Sequence, residues 1–161
     1  MPMPVSSPVF SPPDRLRRAL LGSALGTGLF VAVQPSVRAA DGELAAAIRA
    51  FAGGAPVATG RIALDIAPLV ENGNAVPLTV SVDSPMTVAD HVRAIGIFNE
   101  RNPQRDVAIF QLGPRAGRAR VATRVRLATS QKLVAVARMS DGTHWQQSVD
   151  VLVTLAACIE S

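Results

Sequence analysis

Among its 161 residues the chain has one cysteine, one tryptophan, two histidines and no tyrosine. Each scarcity removes a class of explanation. A lone cysteine leaves no intramolecular disulfide, so the fold has to be held by apolar packing alone. His91 and His144 stand apart in sequence and share no metal-ligand spacing with each other or with Cys158. A structural zinc site takes four nitrogen or sulfur ligands, so neither a metal nor any other cofactor is expected. With one tryptophan and no tyrosine, the basic residues have no stacking aromatics among them, which argues against a nucleic-acid surface.

Extended apolar runs are also scarce. The stretch from Ala19 to Val33 is interrupted by Gly22, Gly26 and Gly28, and it falls short of the ~20 apolar residues that a membrane span needs. No stable membrane span is expected. The run follows Arg15-Leu16-Arg17-Arg18 and precedes "QPSVRAAD". A positive segment, a short apolar stretch and small residues before a polar start read as a secretory leader, and the adjacent arginine pair suits the twin-arginine route. Cleavage after Ala39 puts Val37 and Ala39 at the small-residue positions. Residues 1–39 are therefore expected to be a twin-arginine-type signal peptide, and the protein to act in the periplasm.

That boundary changes the charge. Of the 16 Lys+Arg, four lie before residue 40, and of the 12 Asp+Glu only Asp14 does, so a net charge of +4 falls to +1. The basic character is mostly a property of the leader.

What remains is rich in short alternating segments. "GELAAAIRAFAGG" (42–54) places Leu44, Ile48 and Phe51 at helical spacing, with Gly53-Gly54 as a stop. The period then changes to two. Segments 61–67, 77–83, 91–98, 106–112, 119–127, 132–139 and 148–156 read as strands, separated by turn sequences such as Glu71-Asn72-Gly73-Asn74, Asn102-Pro103 and Asp141-Gly142. Seven such strands after one short helix predict an all-β fold, an immunoglobulin-like antiparallel β-sandwich over residues 40–156. Val80, Val82, Val121, Val125, Leu127, Val134 and Val136 should face the core, with Arg120, Arg124 and Arg126 outward.

Catalytic equipment is thin. The arginine-rich "GPRAGRARVATRVR" could hold an oxyanion, because guanidinium forks match such ligands, which makes an oxyanion-binding module one reading of the Arg118 to Arg126 segment. Its alternation also describes the solvated face of an edge or outer strand. Cys158 follows the last strand pattern after Ala156 and Ala157, with Ile159 and Glu160 behind it. Residues 157–161 thus form a short arm carrying the thiol. No nucleophile motif surrounds the cysteine, so an enzyme is not expected. A thiol on an arm can be offered to a partner's pocket, and the thiolate is its reactive form. Two readings follow: a carrier that presents a covalently loaded Cys158 to enzymes, or a non-catalytic binding or assembly subunit in which Cys158 is incidental or forms an intermolecular disulfide.

At these residues the sequence resembles a known family, SoxY, the sulfur-carrying subunit of the bacterial thiosulfate-oxidising Sox system. The resemblance rests on "LDIAPLVENGNAVPLTVSVDSPM" (64–86), "GIFNERNPQ" (96–104), "GPRAGRARVATRVRLATSQKLVAVARMSDG" (113–142) and the final "VTLAACIES". It implies an immunoglobulin-like sandwich, a heterodimer with a SoxZ-like subunit, Cys158 as the covalent sulfur carrier, and periplasmic redox or hydrolytic enzymes as clients. The family's usual Gly-Gly-Cys-Gly-Gly arm is replaced here by Ala156-Ala157-Cys158-Ile159-Glu160, which resembles a SoxY-related group marked by that arm. Alanines and a β-branched residue make a stiffer, bulkier thread than glycines.

Overall fold

The computed structural model describes residues 37–155. Residues 1–36 of the expected leader and the arm residues Ala156, Ala157, Cys158, Ile159 and Glu160 lie outside the described residues, while 37–39, the end of that leader as read from the sequence, form the first residues of a helix. Helix α1 spans Val37–Phe51 and is followed by nine strands: β1 (Val57–Thr59), β2 (Ile62–Ile66), β3 (Leu69–Asn72), β4 (Val76–Val82), β5 (Val92–Asn99), β6 (Asp106–Gln111), β7 (Arg120–Val125), β8 (Gln131–Met139) and β9 (His144–Leu155). The seven expected strands are present as β2 and β4 to β9. β1 and β3, which are only three and four residues long, were not legible as strands.

The strands form two sheets. β2, β4 and β7 make one, paired antiparallel. The larger sheet runs β1-β9-β8-β5-β6, and β3 also pairs with β9. β1 and β3 lie along the outer edge of β9, parallel to it: Val57 pairs with His144 at one end and Leu69 with Leu152 at the other. The antiparallel expectation therefore holds for the body of the sandwich and fails at this one edge. There, two short segments separated by β2 return to the same neighbour in the same direction.

Alternation explains the small sheet. β2 and β4 bury every second residue, with Ile62, Leu64 and Ile66 opposite Val82, Val80 and Leu78. β5 and β8 are buried along nearly their whole length, because both of their faces are covered. Ile95, Ile97, Leu133, Ala135 and Ala137 meet the small sheet. Phe98, Val134 and Val136 face the other way and pack with Leu44, Ile48 and Phe51 of α1. Val134 and Val136 are thus core residues under the helix rather than between the sheets. Burial of Leu44 in this second cluster contributes about 2 kcal/mol to docking the helix. The edge strand β7 and the two residues after it keep Arg120, Arg124 and Arg126 exposed, while Val125 and Leu127 are buried and Val121 packs against the core.

Gly96 sets the distance between helix and sheet. A side-chain carbon there would lie 2.7 Å from Phe98 Cε2 and 3.2 Å from Phe51 Cε2, and those two rings meet edge to face at 5.6 Å. Only glycine allows the rings to fill that space.

Candidate functional site

The last described residue, Leu155, immediately precedes the segment expected to form the cysteine arm. Two sets of bonds fix it. On the outer side, β3 pairs Leu69 with Leu152, Val70 with Val153 and Asn72 with Leu155. The Gly73 amide donates to Leu155 O at 3.0 Å, and the Thr154 hydroxyl donates to Glu71 O at 3.1 Å. On the inner side, the Val153 amide donates to Ser130 Oγ at 2.9 Å. The Asn72 side chain caps the turn below by accepting from the Asn74 amide at 2.9 Å, an Asx turn of the kind that Asn-Gly-Asn favours.

The loop carrying Ser130 is itself held. Asn102 Oδ1 accepts from the Ala128 amide at 3.0 Å and from Gln131 Nε2 at 2.7 Å, and Asn102 Nδ2 donates to Arg126 O at 2.7 Å. Gln131 Oε1 accepts from the Arg101 amide at 2.8 Å, and Glu100 accepts from the Lys132 amide at 3.1 Å. Arg105 adds an ion pair to Glu43 on α1. The "NERNPQR" stretch (99–105) is therefore a polar staple joining the β5–β6 loop, the β7–β8 loop and the helix. These side chains bond to backbone groups distant in sequence, so nothing in the local pattern reveals their role.

Around Leu155 the surface is apolar. Leu152, Leu155 and Leu69 are 61%, 67% and 58% exposed. Leu152 and Leu69 are direct cross-strand partners, so they form one patch on the outer face, beyond the area that α1 covers.

At the opposite end of β9 is His144, which is buried, and neither ring nitrogen makes a hydrogen bond of ordinary geometry. Burial pushes its pKa below the usual histidine value, and Arg138 beside it acts in the same direction. The adjacent turn is capped by Asp141, which accepts from the Thr143 amide at 2.8 Å and the Thr143 hydroxyl at 2.7 Å. These bonds hold its carboxyl below the ordinary carboxylate range. His91 is tied to Thr87 O through Nδ1 at 3.0 Å. Among the described residues there is no cluster of three or more His, Cys, Asp or Glu able to hold a metal ion, and no helix among them is long and apolar enough to cross a membrane.

Comparison with known proteins bears on this geometry. Residues 48–158 match the family model described as sulfur oxidation protein SoxY. The sulfur carrier protein SoxY from Chlorobium limicola f thiosulfatophilum is 30% identical, with a TM-score of 0.61 over 71% of this chain and 99% of that one. Two superoxide reductases share the fold at lower identity. The neelaredoxin from Ignicoccus hospitalis is 19% identical, with a TM-score of 0.52 over 59% of this chain and 81% of that one. The enzyme from Nanoarchaeum equitans is 12% identical, with a TM-score of 0.51 over 60% and 100%. A search of curated proteins found no match.

Proposed function

The chain belongs to the SoxY family, and from that premise we propose that it is a periplasmic carrier whose Cys158 thiolate is loaded with a sulfur compound and presented to client enzymes. The observation that carries this reading is the family match itself, which extends through Cys158. The geometry at the end of β9 supports it. β9 is clamped on both sides up to Leu155, so the sandwich supplies a rigid handle, and the exposed Leu69–Leu152 pair on the outer face, with exposed Leu155 at the end of the strand, offers a client apolar surface near the point where the arm leaves.

Loading has a fixed electron balance. Joining a thiolate to the outer sulfur of a species such as thiosulfate forms one S–S bond and releases two electrons, which an oxidising client accepts. The carrier contributes the nucleophile and its delivery. The protein is exported through residues 1–39 by the twin-arginine route and pairs with a SoxZ-like subunit, which would protect sheet edges such as β6, where Ile109 is 48% exposed. The arm Ala156-Ala157-Cys158-Ile159-Glu160 assigns it to the SoxY-related group that lacks the glycine arm, and its greater bulk selects clients with wider channels.

Cys158→Ser tests the reading. It should leave the folded domain and SoxZ-like pairing intact and abolish the sulfur-oxidising pathway in cells. Full activity of that variant would instead make the protein an assembly subunit.

A further inference from the structure

A second site lies at the end of the large sheet remote from the arm. A cavity of about 610 Å³ is lined by His91, Arg93, Gln111, Gly113 and Arg138, among others. A bulge builds it. Val92 pairs with Met139 and Ala94 with Arg138, so Arg93 is the extra residue on β5, and a bulge of this kind re-aims the side chain it inserts. It sets Arg93 beside Arg138 of the next strand. The Leu112 amide bonds to Arg93 O at 2.9 Å, which brings the end of β6 and its Gln111 amide to the same rim.

The charge here is not compensated. Among the described residues neither Arg93 nor Arg138 has an ion pair. The nearby carboxylates are used elsewhere: Asp90 pairs with Arg61 at 3.6 Å, and Asp141 caps its own turn through Thr143. Arg138 lies over the Phe51 ring at 5.5 Å. That stacking covers one guanidinium face and leaves its edge N–H groups to a ligand. His91 commits Nδ1 to Thr87 O, so Nε2 is the nitrogen left for the cavity.

We propose that this cavity binds a tetrahedral oxyanion such as sulfate, held between the Arg93 and Arg138 guanidinium groups with the Gln111 amide as a further donor. The site is independent of the carrier thiol on the same molecule. Arg138 pairs with His144 at the start of β9, and the twelve residues from His144 to Leu155 span ~36 Å, whereas the three residues from Leu155 to Cys158 reach only ~10 Å. Oxyanion recognition thus falls on these two arginines of β5 and β8, not on the arginine row of β7.

Titration of the ¹⁵N-labelled protein with sodium sulfate, at ionic strength held constant with sodium chloride, tests the site, with orthophosphate in parallel to show which oxyanion it prefers. Saturable shifts are expected at the Arg93, Gly113 and Arg138 amides, with a millimolar dissociation constant. Arg93→Gln should weaken binding at least fivefold, and Arg93→Gln with Arg138→Gln should abolish saturation. Arg118→Gln with Arg124→Gln, which removes the same charge elsewhere, should leave binding unchanged. If Arg138→Gln loosens α1, Arg93→Gln alone decides, since Arg93 is exposed. Non-saturable shifts, or equal losses in the β7 control, would overturn the proposal. Cys158→Ser should bind sulfate normally, so failure here leaves the carrier reading untouched.

Discussion

Ser130 and Val153 are bonded in both directions: the Val153 amide donates to Ser130 Oγ at 2.9 Å, and the same hydroxyl donates to Val153 O at 3.4 Å. One side chain from the β7–β8 loop thus secures the strand two residues before its last described position. Ser130→Ala should cost about 1–2 kcal/mol in urea unfolding. It should also raise the hydrogen-exchange rate of the Val153 amide selectively. Unchanged exchange at Val153 would show that β3 alone anchors the end of β9.

Asn102 should matter more than its loop position suggests. Asn102→Ala breaks the bonds to Ala128, Gln131 and Arg126 at once, leaving partly buried backbone groups without partners. The expected loss is about 2–3 kcal/mol, and exchange should rise along residues 126–131. A loss below ~0.5 kcal/mol, typical of an exposed loop residue, would refute the staple.

The body of the sandwich was legible because its strands keep strict alternation. β2, β4 and β7 each show one wet face, and the arginines of β7 marked it. The sequence read β5 and β8 as ordinary alternating strands, and only the structure shows that both of their faces are buried, the second under α1. β1 and β3 were hidden by their length and by parallel pairing with β9, which is a long-range relation. For the same reason the Arg93–Arg138 cavity could not be read: it depends on a bulge and on strands forty-five residues apart in sequence. The expectation of an arm at 157–161 rests on its cysteine and the family resemblance, and those residues lie outside the described ones.

Gly96→Ala should destabilise the protein by about 1–3 kcal/mol, since the added methyl group meets both Phe98 and Phe51. Near-ultraviolet signals from the phenylalanines and exchange in α1 should change, while the small sheet stays protected. Wild-type stability in this variant would mean that the helix shifts freely on the sheet.

His144 predicts the pH dependence. Its pKa is lowered by burial and by Arg138, so the unfolded chain binds the proton more readily than the folded one. The contribution of His144 to stability is therefore full above the ordinary histidine value of about 6.5 and is lost as pH falls below it toward the folded-state value. His144→Phe, which keeps the ring under Phe51, should flatten the fall in stability between neutral and mildly acidic pH. An unchanged slope would place the proton uptake on another group.

The carrier claim itself is tested most directly by intact mass spectrometry of the protein isolated under non-reducing conditions from its native cells grown on a reduced sulfur compound. The account predicts a fraction carrying added sulfur-containing mass. That mass should be removed by reductant, map to Cys158 and be absent from Cys158→Ser. A protein found only with a free thiol, or only as a disulfide to another chain, would contradict it.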